Sequence, residues 1–469
     1  MAVGAPECAA LMPPTPALTP PELVAELNAL APTKQHRLST AGESQFGDRL
    51  KLRSYRLGNG LEIRLLVDRS APVVSMQTWF NVGSRDEKRG KTGLAHLLEH
   101  LMFGGTERLA KGEFDRRMEQ AGAETNAATW TDWTHYYEDL PANQLSEILE
   151  LESDRMNGLR LERPQVVSEK EVVSNERRWR VDDDVEGAAT EHLYSLAFRE
   201  HPYGWPTIGW MEDIQDFSLA DVRSFYRRYY TPNNATLVLV GHFDEREALS
   251  LIQSKYGHLP SRRIRRQPRN VEPAQKRERR RSLRLDATSE RLGVGYRSPA
   301  FNTYDWAVLA VISEVLFGGR SARLTRELVV ERETVTGIWG SPTPFADPSL
   351  YEIWLSMRPG LKAEEAEKVI EAELRRLKTT HVPEIELTRA KNRLELDFLE
   401  ELETTAGKAE QIGFYEMVAG GADRIFERLE DFRRVSPLDV MRVSKNTFKR
   451  SAKSTVHVRP KTQPEAGEE

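Results

Sequence analysis

The sequence predicts an α+β protein built from two homologous α/β halves, each an antiparallel-rich sheet packed with helices. Three observations carry this. At 469 residues the chain exceeds the size at which a single core stops growing, so two domains of about 200 residues are expected. Strand-like and helix-like stretches follow one another along its length. And the pattern starts again: Leu97-Leu98-Glu99-His100-Leu101-Met102-Phe103-Gly104-Gly105 lies on Val311-Ile312-Ser313-Glu314-Val315-Leu316-Phe317-Gly318-Gly319 without a gap. A second echo pairs Val222 to Val240 with Val443 to Val458, which gives a repeat of about 215 residues.

Taken in order, residues 1–48 open with Met12-Pro13-Pro14-Thr15-Pro16 and Thr19-Pro20-Pro21 and read as a Pro-rich N-terminal arm. Residues 49–258 form the first domain. Leu57-Gly58-Asn59-Gly60 is a hairpin turn flanked by strand residues, and Val73 to Val82 is a second strand. Gly93 to Met102 and Phe114 to Gln120 read as helices. Asn126 to Tyr137, rich in Thr, Trp and Tyr, reads as strand. Helical periodicity returns at 143–157 and 164–179, and the domain closes on the strand Ala235 to Val240. Residues 259–284, with Arg262, Arg263, Arg265, Arg266 and Arg279-Arg280-Arg281, read as a solvated linker, because no aromatic residues interleave for base stacking. Residues 285–460 form the second domain and 461–469 a tail.

Composition excludes several classes. With 39% hydrophobic and 30% charged residues, the chain is an ordinary globular protein. A net charge of -5 supplies no general attraction to nucleic acid or anionic lipid. The single cysteine, Cys8, rules out an intramolecular disulfide framework. No run approaches the roughly 18 apolar residues of a membrane span. The N-terminus carries Glu7, Glu22 and Glu26 and no basic residue before Lys34, unlike a secretory or transit peptide. The expected location is cytoplasmic, or periplasmic if a leader has been removed.

The chemistry concentrates in His96-Leu97-Leu98-Glu99-His100. Two imidazoles at i and i+4 on one helix face can reach a single metal ion. Glu99, three residues after His96, is placed to take a proton from water instead of ligating. A catalytic zinc held by protein needs a third donor, and two helical histidines with a distant Glu is a known set. His135 reads as a hydrogen-bonded strand histidine, not a ligand.

These residues resemble the insulinase and pitrilysin family of inverted-motif zinc peptidases. The resemblance spans roughly residues 50–460 and points to the two-chain branch similar to mitochondrial processing peptidase and its bacterial homologues. It implies a third zinc ligand at Glu176, 76 residues past His100, within Glu169-Lys170-Glu171-Val172-Val173-Ser174-Asn175-Glu176. Glu171 has the wrong spacing for that role. The resemblance implies that Glu169 orients a ligand imidazole and that Asn126 and Ala127 belong to an edge strand that pairs with substrate. It makes Leu101 to Thr106 and His201-Pro202-Tyr203-Gly204 structural. The implied function is a zinc metalloendopeptidase, a hydrolase acting on peptides or unfolded polypeptides inside a closed chamber. The alternative is a non-catalytic assembly or peptide-binding subunit of this fold.

In one respect the chain departs from the family. Members close as a clamshell and use an Arg and a Tyr from a metal-free half. Here Val329 and Thr336 fall at those positions, and with three residues inserted Arg332 and Trp339 would. His96, Glu99 and His100 align with Ala310, Ser313 and Glu314, so the second half has kept the helix and lost the metal motif. The expected partner is a homologous chain that supplies the Arg/Tyr pair in a heterodimer.

Overall fold

Apolar strand residues organise the chain into two mixed sheets in a computed structural model that describes residues 18–266 and 270–461. The first sheet comprises β1 (Leu38–Phe46), β2 (Leu50–Leu57), β3 (Glu62–Val67), β4 (Val73–Phe80), β5 (Glu124–Thr129), β6 (Thr134–Pro141) and β7 (Ala235–Gly241). Its order is β1-β2-β3-β7-β4-β6-β5, with β3 and β7 parallel and the other neighbours antiparallel. The central strand β7 is buried at every residue, as its unbroken apolar run requires when both faces are covered.

One face of this sheet packs helices of the first half around Leu65, Met76, Leu97, Leu101, Leu149 and Leu239. The other face, through Leu66, Trp79, Val238 and Val240, meets Ala409, Ile412 and Val418 of the second half. The helix Thr405–Phe414 therefore shares a core with the first half.

The second sheet holds β8 (Arg279–Leu285), β9 (Arg291–Ser298), β10 (Val335–Pro342), β11 (Ser349–Met357) and β12 (Lys453–Pro460). Its order, β10-β11-β9-β12-β8, repeats β5-β6-β4-β7-β3, and β12 runs parallel to β8 as β7 does to β3. The repeat read from sequence is thus a repeat of topology, with β1 and β2 added to the first copy. The helices Leu219–Tyr229 and Pro437–Thr447 precede β7 and β12, and each starts with a reciprocal Ser/Asp cap, Ser218 with Asp221 and Ser436 with Asp439. In the helix Tyr304–Phe317 the Ser313 hydroxyl donates to the Leu309 carbonyl, and Glu314 pairs with Arg393 at 2.7 Å. The counterpart of the metal helix has become packing.

The structure departs from the sequence reading at both proposed segments without regular structure. Pro20 and Pro21 do not mark an arm. They occupy the first turn of α1 (Pro20–Ala29), where a missing N–H breaks no helical bond, and Leu23, Val24 and Leu27 bury the helix against the first core. β1, also inside that stretch, pairs along β2. Residues 1–17, with Cys8 and the earlier prolines, lie outside the described residues, as do 462–469 of the tail. The Arg-rich stretch is a linker only in part. Arg279–Leu285 forms the edge strand β8, whose outward side chains can be arginine because that side is open. Arg280 pairs with Glu367 and Arg266 with Asp86 at 3.0 Å. Among the described residues no helix is long and apolar enough to cross a membrane.

Candidate metal centre

The helix α2 (Leu94–Leu101) carries the motif, and two local devices set its start. Glu87 folds back so that its two carboxylate oxygens accept from the Gly93 and Ala95 N–H groups, each at 2.8 Å, answering amides that a helix start leaves free. Gly93 enters at φ +95°, and a Cβ there would stand 2.4 Å from the Ile208 carbonyl oxygen; glycine is required on both counts. Leu94, Ala95, Leu97, Leu98 and Leu101 enter the core, which turns His96, Glu99 and His100 to the opposite side.

Between α2 and the next partner lie α3 (Glu113–Ala121) and α4 (Leu145–Gly158). The helix α5 (Arg163–Arg177), which packs against α2, buries Val166 and Val173. Glu169 and Glu176 lie two turns apart on it. Its end is pinned by Arg177, which donates to Glu191 at 2.8 Å and to the Gly209 carbonyl at 2.7 Å. One π-helical turn, Arg178–Asp182, follows.

Three side chains distant in sequence converge. Glu176 Oε2 lies 3.2 Å from His100 Nε2 and 3.6 Å from His96 Nε2, and one donor atom from each residue falls within 4.8 Å of the others. Zinc bonds nitrogen and oxygen donors at about 2.0–2.2 Å in a tetrahedron, which sets donors roughly 3.3 Å apart. The spacing fits. Glu176 Oε2 is buried with no hydrogen-bond partner, and so is Glu99 Oε2; both are atoms that a cation and a water would satisfy. Glu169 Oε2 stands 4.0 Å from His100 Nδ1, and its other oxygen faces Lys111 at 3.5 Å. Glu171 is exposed and takes no part.

The electrostatics separate the four groups. Burial, helped by His100, holds the His96 imidazole down at about 4, so it stays neutral and able to ligate. Burial also pulls His100 down, but Glu176 outweighs it and the ring sits above its ordinary value. Contact with His100 lowers the Glu176 carboxyl against the upward push of its burial. Glu99 goes the other way: burial raises it, opposed by Thr129 at the end of β5. A raised carboxylate is a better proton acceptor.

β5 is the edge of its sheet, with Asn126 exposed and Ala127 packed against the first core. His135 is on β6 as expected but lacks the hydrogen bond the sequence reading assigned. Its Nδ1 has no partner, and the ring is packed between two indoles, tilted against Trp79 at 4.1 Å and edge-on to Trp133 at 4.9 Å between centroids. The His201 stretch is structural: His201 Nδ1 accepts from Tyr203 N–H, and the Tyr203 hydroxyl donates to Asp132. A second cluster, Glu290, Glu364 and His457, had no signal in the sequence. His457 points one ring nitrogen at each carboxylate, 2.8 and 3.5 Å away, and Arg459 already neutralises Glu364 at 2.7 Å. It reads as an ionic clasp between strands and helix. Arg180, 3.1 Å from Glu176, is a further neighbour of the site, and its i+4 spacing from that residue is visible in the sequence.

Burial pushes His135 down to about 3 as it does His96 to about 4. Both rings titrate near 6.5 when unfolded, so the folded chain binds fewer protons. The stability from this source is complete above pH 6.5 and is lost as the pH falls toward 4 for His96 and toward 3 for His135. The melting temperature of the metal-free chain is therefore expected to drop across that window, and His135→Gln to flatten the drop. Equal slopes for the two proteins would refute it.

A two-layered α+β repeat with two helical imidazoles and a carboxylate around one point defines a metal-binding hydrolase class. Comparison with known proteins agrees. Residues 64–209 match the family model described as Insulinase (Peptidase family M16), and residues 216–394 match Peptidase M16 inactive domain. The chain is 31% identical over 414 residues to Zinc protease PqqE of Helicobacter pylori, covering 87% of this chain and 93% of that protein. It is 25% identical over 432 residues to the mitochondrial-processing peptidase subunit beta of Blastocladiella emersonii, covering 90% of each. A crystal structure of a protease from Helicobacter pylori superposes with a TM-score of 0.84 at 31% identity, over 88% of this chain and all of that one. The chain belongs to the insulinase family, peptidase family M16. The half whose metal motif is gone is the half matched by the inactive-domain model.

Proposed function

We propose that this chain is the zinc-bearing subunit of a metalloendopeptidase, with His96, His100 and Glu176 holding the ion and Glu99 acting as general base. The observation that carries it is the convergence of the three donors, with Glu176 Oε2 at 3.2 and 3.6 Å from the two imidazoles, together with an unpartnered Glu99 oxygen. Bound zinc would polarise the scissile carbonyl and lower the pKa of the attacking water toward 7. Glu99 takes the proton from that water and delivers it to the leaving amine. Glu169 steadies the His100 ring from behind. The free edge of β5, through the backbone of Asn126 and Ala127, takes an extended peptide as an added strand.

The zinc protease name of the Helicobacter relative and the peptidase name of the Blastocladiella relative support the reaction class. Oxyanion stabilisation is the part this chain lacks. Val329 has no hydrogen-bonding group, the Thr336 hydroxyl donates to the Ser356 carbonyl at 3.1 Å, Arg332 is engaged by Glu327 at 2.6 Å, and Trp339 has no hydroxyl. A homologous partner bearing an Arg/Tyr pair completes the site, making the active species a heterodimer.

The test is to isolate chains that co-purify from the native host, then measure zinc by elemental analysis and hydrolysis of a fluorogenic peptide with and without them. The expectation is one zinc per chain and turnover that rises by about 10²- to 10³-fold with the partner, the scale of oxyanion donors. Full activity of the lone chain removes the heterodimer. Absence of zinc and of hydrolysis in both preparations favours the assembly-subunit reading.

A further inference from the structure

Arg262, Arg263 and Arg265 of the stretch between the halves face a second group of arginines on the first half. On the helix Leu219–Tyr229, Val222, Phe225, Tyr226 and Tyr229 enter the core, which leaves Arg223, Arg227 and Arg228 toward the outside. The chain returns past them after residue 258, held at every second residue. Asn233 exchanges hydrogen bonds with the Arg262 backbone at 2.8 and 3.0 Å, Ile264 packs against the first core, and Arg266 reaches Asp86 and Asn234, each at 3.0 Å. That alternation is the course of an extended chain, and it leaves Arg263 and Arg265 exposed.

Between the two rows of arginines runs a groove of about 970 Å³, lined also by Leu219, Ala220 and Ser224. Among the described residues none of the six arginines forms an ion pair. Arg223 donates to the Leu161 carbonyl at 2.6 Å, and Arg228 lies over the Tyr229 ring. Like charges one helical turn apart, as on Arg223 and Arg227, destabilise a helix, and here six gather on a chain whose net charge is -5. A bound anion relieves that repulsion. None of these residues belongs to the metal centre or to the cavity between the halves, so the groove stands apart from the peptidase function proposed there.

The lining decides which anion. It holds no aromatic side chain to stack a base, and no large exposed apolar one to enter a membrane. Arginine grips carboxylates and phosphates alike with paired N–H groups. Spacing separates the two. Arg263 and Arg265 stand about 6.6 Å apart along an extended chain, and Arg223 and Arg227 about 6 Å apart along a helix. Side chains at alternate positions of an extended peptide recur at that same interval, and its other positions present apolar groups to Leu219 and Ala220. A condensed phosphate chain packs its charges more densely and offers nothing to the apolar part of the groove. We infer that this groove docks an extended acidic segment of another polypeptide, with carboxylates at alternate residues.

The experiment uses the full chain, loaded with zinc and carrying Glu99→Gln so that peptides are not consumed. Fluorescent decapeptides that alternate Glu with Ala, that hold the same residues in two blocks, or that alternate Gln with Ala are titrated by anisotropy. The alternating acidic peptide is expected to bind about tenfold tighter than the Gln peptide, as charge-assisted contacts do, and severalfold tighter than the block peptide. Arg227→Gln with Arg263→Gln, one charge from each wall, should remove most of that advantage while far-ultraviolet circular dichroism stays unchanged. Equal binding of the alternating and block peptides, an advantage that survives both substitutions, or no advantage over the Gln peptide overturns the inference. So does tighter binding of inorganic triphosphate, or of phosphatidylserine vesicles, through the same arginines, because the groove would then be a phosphate or membrane site.

Discussion

Glu99→Gln is expected to remove peptide hydrolysis by about 10²- to 10⁴-fold, the contribution of a positioned general base, while the chain still binds zinc. The amide matches the carboxylate in shape but accepts no proton. Glu99 contributes none of the three clustered donor atoms, and its Oε2 holds no other group in place, so neither the ligand set nor the packing of α2 should change. The measurement pairs kcat on a fluorogenic peptide with zinc content by elemental analysis. Retained turnover in the zinc-loaded variant would falsify the assignment of the base, and lost zinc would move Glu99 into the ligand set.

The second large effect is on stability. Arg155 of α4 is buried, its guanidinium 2.9 Å from Glu138 of β6 and 2.6 Å from Glu152. It lies 4.4 Å from the centroid of Tyr136, 4.7 Å from Phe114 and 5.3 Å from Phe103. Burial, reinforced by Glu152, drives the Glu138 carboxyl well upward, so this ensemble tolerates the arginine and little else. Arg155→Met leaves two buried carboxyls without a counter-charge and is expected to cost about 3–5 kcal/mol. Adding Glu138→Gln and Glu152→Gln to the same chain should restore much of the loss, because a neutral set carries a smaller desolvation cost. Urea unfolding of the three proteins checks this. An unchanged midpoint for Arg155→Met, or no recovery in the triple variant, would count against it.

How much of this was legible depended on how far apart the cooperating residues lie. His96, Glu99 and His100 share one short helix, so their spacing alone brings two imidazoles and a carboxylate to one side of it. Glu176 is brought to them by a second helix, and only resemblance to a family pointed to it. Glu87 was invisible because nothing in the loop before Gly93 says which acid will fold back onto the helix start. His135 is a strand residue as its surroundings suggest, but not a hydrogen-bonded one, since the neighbouring strand decides that it packs between the Trp79 and Trp133 rings. Pro20 and Pro21 misled because the same residue that ends one helix can begin another. The repeat, by contrast, was readable in helix and strand alike, because both copies answer to the same core positions.

The six residues of β5 leave one row of backbone amides and carbonyls without a partner strand. Such a row does not discriminate between a substrate and a neighbouring molecule of the same protein, and exposed edges are templates for aggregation. The chain limits the hazard by keeping this edge short and by placing exposed Glu124 at its start. Under the proposed strand addition, colloidal behaviour and peptide capture draw on the same few hydrogen-bonding groups, and a peptide bound along β5 should also act as a solubiliser of the chain.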